Sequence, residues 1–131
     1  MFKQTLYGAA FAVLCLLSTV VYATGVGGTY TGTYTASEVP GNHKITLIFH
    51  QSGHVLKGHY HTATGVYGKG HGCIVDGKAK MYWKNTTPKC PGTYVGVYKF
   101  NKQRVTWTYS GSDCVGEEKG KGDAKQVVNY P

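Results

Sequence analysis

The sequence predicts an all-β protein whose antiparallel strands close into an up-and-down barrel of about eight strands. Three observations favour this fold class. Beyond Ala23 no segment carries the periodicity of an amphipathic helix. Apolar and polar residues alternate instead, and short turn motifs separate the alternating segments. Hairpin-linked strands in this number close most simply as a barrel, which also removes the open edges of a flat sheet.

The N-terminal residues have the layout of a secretory signal peptide. Lys3 precedes a mostly apolar segment that ends at Val21, and a small residue stands at Ala23. The apolar segment is short for a retained membrane span. We therefore expect residues 1–23 to be removed, a secreted or periplasmic location, and no membrane span after cleavage. One barrel domain then occupies residues 24–131.

The first strand is GTYTGTY at residues 28–34, and HKITLIFHQSGHVLKGHYHT at residues 43–62 predicts a hairpin. A two-residue turn at Ser52-Gly53 would place Gln51 opposite His54. Apolar residues then share one face and mostly polar residues share the other, which supports this pairing. The inner face holds Ile45, Leu47, Phe49, Leu56, Gly58 and Tyr60, and the outer face holds Lys44, Thr46, Ile48, His50, Val55, Lys57, His59 and His61.

Two further turns continue the series of hairpins. Ala63-Thr64-Gly65 suits a three-residue loop with its glycine in the left-handed region. Asp76-Gly77 is a strong two-residue hairpin signal, and it pairs Gly70 with Trp83. The same pairing turns six residues outward: Lys69, His71, Cys73, Lys78, Lys80 and Tyr82.

The last clear hairpin is predicted to turn around Asn101-Lys102. This turn sets three pairs opposite each other, namely Gly96–Trp107, Tyr98–Val105 and Tyr94–Tyr109. Twice, then, a tryptophan lies across from a glycine, which leaves room for a large ring in a tightly curved or cavity-bearing barrel. The eighth strand falls within EEKGKGDAKQVV, and the register of residues 115–131 is left open.

Three cysteines follow the predicted cleavage site. In an oxidising compartment we expect one pair and one leftover thiol. Cys90 and Cys114 lie near the base of the last hairpin, almost opposite each other, so we expect a disulfide between them. Cys73 is then the odd thiol. One such bond typically stabilises a small domain by ~2–4 kcal/mol.

Three short segments resemble strands of the avidin family of small secreted barrels. GHYHTA (58–63) resembles the family's G-x-Y-x-T-A strand and turn, and YWK (82–84) its mid-chain tryptophan strand. YVGVY followed by VTWTY (105–109) resembles the strand pair with the later tryptophan. The resemblance implies an avidin- or calycin-like barrel. It also implies that Tyr60 and Thr62 hydrogen-bond a polar head group while Trp83 and Trp107 enclose an apolar ring.

The chain departs from that family where biotin's polar group binds. The segment YTGTYTASE carries no asparagine, its Ser37 is displaced, and Asn129 is a doubtful substitute for the family's late asparagine. A buried urea without these partners would lose most of its specificity. The resemblance therefore supports the fold more than biotin binding.

Aromatic residues dominate the predicted inner face. Plain core packing accounts for such a face, because aromatic rings fill small barrels well. Buried tyrosine hydroxyls also need partners, and that need favours a hydrated or ligand-holding interior. The inward residues are Tyr30, Tyr34, Tyr60, Tyr94, Tyr98, Tyr109, Trp83 and Trp107, and our ligand-binding candidates among the inner residues are Tyr60, Thr62, Trp83, Trp107 and Tyr98.

A second cluster lies on the predicted outer face, where three imidazoles and a thiol would suit zinc or copper. These weak metal candidates are His59, His61, His71 and Cys73. No acidic partner is visible to orient the imidazoles, and Lys57 and Lys69 would repel a cation. We therefore favour a solvated histidine-rich face, which gains charge below neutral pH, and expect neither a metal nor another cofactor.

Catalysis has little support in the sequence. Asp76 belongs to a turn, and most other carboxylates are expected in loops or the charged tail, without the spaced pair of a glycoside hydrolase. The six are Glu38, Asp76, Asp113, Glu117, Glu118 and Asp123. The formal net charge of +8 suits attraction to anionic partners, but the lysines are scattered along strands and turns, so we favour a role in solubility. Outward Val95 and Val97 suit a subunit interface in a homo-oligomer.

We therefore expect a secreted, non-enzymatic protein that holds a small ligand in an aromatic barrel interior. The alternative is a surface interaction or adhesion protein whose basic outer face contacts anionic glycans, lipopolysaccharide or nucleic acid. An outer-face metal module is the third interpretation. Added salt should weaken outer-face binding and leave pocket binding unchanged.

Overall fold

The computed structural model describes residues 25–130, and these form eight antiparallel strands that close into a barrel. Each strand pairs with the next in sequence, and the last pairs with the first. The all-β up-and-down barrel that the sequence predicts is therefore confirmed. The strands are β1 (Gly28–Ala36), β2 (Val39–Ser52), β3 (Val55–Thr62), β4 (Tyr67–Val75), β5 (Lys78–Asn85), β6 (Gly92–Asn101), β7 (Arg104–Asp113) and β8 (Gly116–Asn129).

The N-terminal prediction falls outside this range. The predicted signal peptide at residues 1–23 and its predicted cleavage after Ala23 lie outside the described residues. Residues 25–130 contain no helix long and apolar enough to span a membrane.

Two turns adopt the predicted geometry. Asp76 and Gly77 both take positive φ, at 51° and 72°, as a type I′ turn requires, and Gly70 lies opposite Trp83. In the β3–β4 loop the Thr62 N–H donates to the Val66 carbonyl at 2.9 Å while Gly65 takes a φ of 85°. This is the expected three-residue loop with a left-handed glycine.

The predicted β2–β3 register is wrong by two residues. Ser52 pairs with Val55, so the turn residues are Gly53 and His54, and Gln51 lies opposite Leu56 rather than His54. Gly53 takes a φ of 58° at the first turn position, which type II′ geometry reserves for glycine. A shift of two residues leaves every side chain on its predicted face because strands alternate with period two.

The predicted β6–β7 register is wrong by the same amount. Asn101 pairs with Arg104, and Lys102 takes the left-handed conformation with a φ of 57°. The observed pairs are Tyr98–Trp107, Gly96–Tyr109 and Tyr94–Gly111. The glycine opposite Trp107 therefore belongs to β8: a Cβ on Gly122 would lie 2.0 Å from the Trp107 ring.

The barrel interior has a packed end and an open end. The packed end lies under the turns at 53–54, 76–77 and 102–103. Tyr30 and Phe49 pack edge to face there with centroids 5.8 Å apart, and the Tyr30 hydroxyl donates to the Val26 carbonyl at 2.7 Å. The largest fully buried apolar side chains are Tyr30, Phe49, Leu47, Leu56, Met81 and Val105. The open end lies under the opposite loops, at 37–38, 63–66, 86–91 and 114–115.

Candidate functional site

A cavity of about 260 Å³ occupies the open end of the barrel. Alternation along each strand brings its lining together, because every second side chain points inward. All the ligand-binding candidates from the sequence line this one cavity: Tyr60, Thr62, Trp83, Trp107 and Tyr98. The alternation of inward and outward residues is thus enough to bring the candidate residues around one cavity, although two of the predicted hairpin registers are wrong.

Aromatic rings form rigid walls around the cavity. Tyr98 stacks on Trp107 with centroids 5.4 Å apart and an interplanar angle of 17°. Tyr60 meets Trp83 edge to face at 5.3 Å. Because each ring is held by another ring, the walls keep their shape without a ligand.

Closer to the mouth the tyrosines are held by their hydroxyls. The Tyr109 hydroxyl donates to the Thr35 carbonyl at 2.9 Å, and the Tyr94 hydroxyl donates to Asp113 Oδ2 at 2.5 Å. The Tyr94 and Tyr109 rings meet edge to face with centroids 5.9 Å apart. Burial is the main cause that raises the pKa of both tyrosines above the ordinary value, so both stay neutral near pH 7.

Two buried polar atoms in the cavity wall have no hydrogen-bond partner among the described residues. They are the Tyr60 hydroxyl and the Trp83 indole nitrogen, on side chains that are 9% and 4% exposed. The Trp83 N–H acts on the Tyr98 hydroxyl and opposes the burial that raises the pKa of Tyr98, but this contact falls short of hydrogen-bond geometry. Burial raises the pKa of Tyr60, and Tyr34 and Asp113 add to the rise, so its hydroxyl keeps its proton. An unpaired buried donor costs about 1–3 kcal/mol, so both atoms are places where a ligand would gain affinity.

Thr62 lies at the rim of the cavity. Its Oγ1 accepts a hydrogen bond from the Val66 N–H at 3.2 Å and lies 2.8 Å from the Thr64 hydroxyl. The Thr62 hydroxyl therefore already has partners within the β3–β4 loop, and the loop holds it in place.

Two carboxyl groups face the cavity mouth. Asp113 ends β7, and Glu118 lies near the start of β8. Burial alone would raise the pKa of Asp113, but hydrogen bonds from Tyr94, Val115 and the Glu118 carboxyl together hold it below its ordinary value. Burial, reinforced by the neighbouring Asp113, raises the pKa of Glu118 to about 6. At neutral pH the mouth therefore carries a negative charge on Asp113 and a second, mostly ionised carboxyl on Glu118, which takes up a proton as the pH falls through about 6.

Most carboxylates were expected in loops or the charged tail. Glu38 does lie in the β1–β2 turn, and the three in the tail lie on the eighth strand expected there, whereas Asp113 lies in a strand instead of a loop. Asp113 belongs to β7, while Glu117, Glu118 and Asp123 belong to β8. Side chains alternate along a strand, so the inward direction of Tyr109 would have predicted that the Asp113 side chain also points inward. The same alternation, taken across a two-residue turn, would have predicted an inward Glu118. That step was missed because residues 115–131 had no assigned register.

The disulfide between Cys90 and Cys114 is confirmed, with a Cα–Cα distance of 4.8 Å. It joins the β5–β6 loop to the β7–β8 turn at the open end. Cys73 is also disulfide-bonded, so the prediction of a free thiol there is wrong. The expectation of one pair and one leftover thiol therefore fails for the cysteines that the structure describes.

The outer-face histidines lie on the surface, as predicted from strand parity. His59 lies opposite Lys69, and His71 lies opposite Lys57. Over residues 25–130 these histidines, with His61 and Cys73, do not bring their ligand atoms together around one point. The described group that does so is Cys90, Asp113 and Cys114, whose two sulfurs are bonded to each other and so offer no thiolate.

The site thus combines a rigid aromatic cavity, two unpaired polar atoms in its wall and a carboxyl pair at its mouth. The two carboxyl groups contact each other, whereas those of a retaining glycosidase lie ~5 Å apart on either side of the substrate bond. No protein-family model matches the chain, and no curated protein matches it.

Proposed function

We propose that the protein is a secreted, non-enzymatic binding protein that holds a small ligand in the cavity at the open end. The observation that carries this proposal is the presence of the unpaired Tyr60 hydroxyl and Trp83 N–H in the wall of a 260 Å³ cavity. Native proteins pair nearly all their buried polar groups. A ligand with one or two polar atoms and an apolar body would satisfy both groups and fill the space.

Two further observations support the proposal. The Cys90–Cys114 disulfide suits an oxidising compartment outside the cytosol. The segments that resemble the avidin family contribute Tyr60, Trp83 and Trp107 to the cavity wall. The segments that carry the resemblance are therefore the ones that border the proposed binding cavity.

Tryptophan fluorescence tests this proposal selectively. The chain has two tryptophans, and both line the cavity, so a change in emission on adding a compound reports on this space. We expect compounds from a small-molecule screen to shift the emission and raise Tm. Thr62→Phe, at the rim, should abolish these effects, whereas His61→Phe, on the exposed neighbour, should preserve them. Equal responses in the two variants would contradict binding in the cavity.

A second candidate function rests on the outer face of β3–β6. None of these four strands carries an acidic residue, and two lysine pairs face each other across neighbouring strands, Lys69–Lys84 and Lys78–Lys99. Like charges placed directly opposite destabilise a sheet unless something else compensates for them. The exposed lysines of this basic face are Lys57, Lys69, Lys78, Lys80, Lys84 and Lys99.

Heparin affinity chromatography tests the basic face as a site for anionic glycans. We expect elution at a salt concentration that falls when Lys69 and Lys84 are both changed to alanine. The matched control is the pair Lys121→Ala and Lys125→Ala on β8, which removes the same charge from a different side of the barrel. Equal shifts for the two pairs would mean that net charge alone drives retention.

A further inference from the structure

The charge of the cavity is opposite to that of the whole chain. The chain carries 14 lysines and arginines against 6 acidic residues. Two of the six, Asp113 and Glu118, line the cavity, and no described lining residue is a lysine, arginine or histidine. Within residues 25–130, this basic protein therefore lines its cavity with two carboxyl groups and no basic side chain.

The carboxyl groups and the aromatic rings border the same space. The Glu118 carboxyl acts on Tyr109 strongly enough to contribute to that tyrosine's raised pKa, and Asp113 does the same for Tyr60. Tyr94 binds Asp113 directly. An entering group would thus meet ring faces and negative oxygens together, which is the combination that attracts ammonium groups.

The unpaired Tyr60 hydroxyl is an independent sign of a ligand. Its side chain is 9% exposed, it lines the cavity, and its oxygen is buried without a partner among residues 25–130. The oxygen of a neutral tyrosine can accept a hydrogen bond from an ammonium N–H. A carboxylate ligand would instead approach the two negative groups, and the part of the lining that the structure describes holds no cation to balance its charge.

We propose that the cavity binds an organic cation, with an ammonium group near Asp113 and Glu118 and an apolar or aromatic body between Trp83 and Trp107. This inference rests on the proposed function and adds the sign of the ligand's charge. An anionic ligand such as biotin is then the wrong class for this barrel, because its carboxylate has no cationic partner among the described lining residues.

Three size-matched probes separate charge from shape. Phenethylammonium, 2-phenylethanol and 3-phenylpropanoate share one aromatic ring and carry a positive, a neutral and a negative end. Each is titrated into the full mature protein, with tryptophan emission and the indole N–H resonances of Trp83 and Trp107 as readouts. We expect phenethylammonium to bind about tenfold more tightly than the alcohol, and 3-phenylpropanoate to bind most weakly.

Substitutions then locate the charge. Glu118→Gln and Asp113→Asn should each reduce the preference for phenethylammonium over 2-phenylethanol by several-fold. Glu117→Gln is the matched control, because its exposed side chain lies on the outer side of β8 and does not line the cavity. Circular dichroism and Tm check that each variant keeps the barrel, and the half-buried Glu118 is the variant of choice if Asp113→Asn unfolds.

The outcomes separate this inference from the proposed function. If the alcohol or 3-phenylpropanoate binds as tightly as phenethylammonium, the charge inference is overturned and cavity binding stands. If none of the three probes perturbs either tryptophan at concentrations up to their solubility, both proposals are overturned. An equal loss of preference in Glu117→Gln and Glu118→Gln would assign the effect to net charge and overturn the site.

Discussion

Trp107 fits in the barrel wall because Gly122, its partner on β8, has no side chain. A Cβ at this position would lie 2.0 Å from Trp107 Cζ2 and 2.3 Å from Cε2, so the ring would have to move. We expect Gly122→Ala to lower the free energy of unfolding by about 1–3 kcal/mol, as overpacking typically does. The measurement is urea denaturation followed by tryptophan emission, which should also shift in the native state.

Gly25→Ala is the matched control for that substitution. A Cβ there has Gln51 Oε1 as its nearest neighbour, at 3.8 Å, and the residue is exposed. Its unfolding midpoint should stay within error of the unmodified chain. A midpoint for Gly122→Ala as high as that of this control would show that Trp107 relaxes freely and that the wall is not rigid.

The raised pKa of Glu118 gives the barrel a defined pH dependence. The groups that face this carboxyl are Asp113 on β7, Glu38 in the β1–β2 turn and Tyr109. Because its folded-state pKa of about 6 exceeds the ordinary 4.5, the folded state favours the protonated form. The resulting stability is complete below pH 4.5 and is lost as the pH rises through about 6.

We therefore expect Glu118→Gln to flatten the dependence of Tm on pH between about 4.5 and 7, and to raise Tm above pH 6. Solvent screens this half-exposed group, so the gain should stay below about 1 kcal/mol. The Asp113 carboxyl has the opposite pH dependence. Because its pKa is lower in the folded state, it stabilises the fold above its ordinary pKa of 3.8, and this contribution is lost as the pH falls below that value. An unchanged pH profile in Glu118→Gln, with Glu117→Gln as the control, would contradict the assignment.

At the scale of single elements, turn chemistry decided which registers could be predicted. Asp76-Gly77 supplies two residues that tolerate positive φ, so one pairing is clearly favoured. The β6–β7 turn offers no such signal, because Lys102 adopts the left-handed conformation and Asn101, the better candidate by residue type, stays in the strand. Tertiary pairing with β8 outweighs the local preference there.

The Cys90–Cys114 bond ties two loops together at the mouth. It closes a loop with a sequence separation of 24, for which chain entropy gives about 3.5 kcal/mol. Changing both cysteines to alanine should lower the free energy of unfolding by about that amount. It should also speed amide exchange in the β5–β6 loop more than in the turn at 76–77. Uniformly faster exchange would instead indicate that the bond stabilises the whole barrel.

At the scale of the molecule, the number of hairpin-linked strands was enough to predict the barrel, and the alternation of residues along each strand was enough to predict its inner surface. Alternation assigns each side chain to a face whatever the exact register, so Tyr60, Trp83 and Trp107 were expected inside. Closure also requires β8 to pair with β1, and that pairing depends on inward small residues such as Gly32, Gly122 and Ala124. Small residues give a weak hydrophobic pattern, so the sequence located this strand within residues 117–128 but left its register, and with it the inward direction of Glu118, unassigned.

The division of the interior into a packed end and an open end predicts that stability and binding reside in different halves. Phe49 is fully buried at the packed end against Tyr30 and Phe100, so Phe49→Ala should cost about 3–5 kcal/mol. Tyr34 is half-buried beside the cavity, where its ring lacks neighbours on one side, so Tyr34→Ala should cost about 1 kcal/mol.

Ligand affinity should follow the reverse order, because Tyr34 borders the cavity, whereas Phe49 reaches it only through the Trp83 and Tyr98 rings against which it packs. Urea denaturation and the phenethylammonium titration, run on both variants, measure the two quantities, and Phe49→Leu replaces the alanine variant if that one does not fold. A large stability loss in Tyr34→Ala would show that the open end is part of one cooperative core. The open end can lose a wall residue and stay folded only when the packed end supplies the stability. A large loss would therefore mean that the cavity is a void left by packing and not a separate binding region.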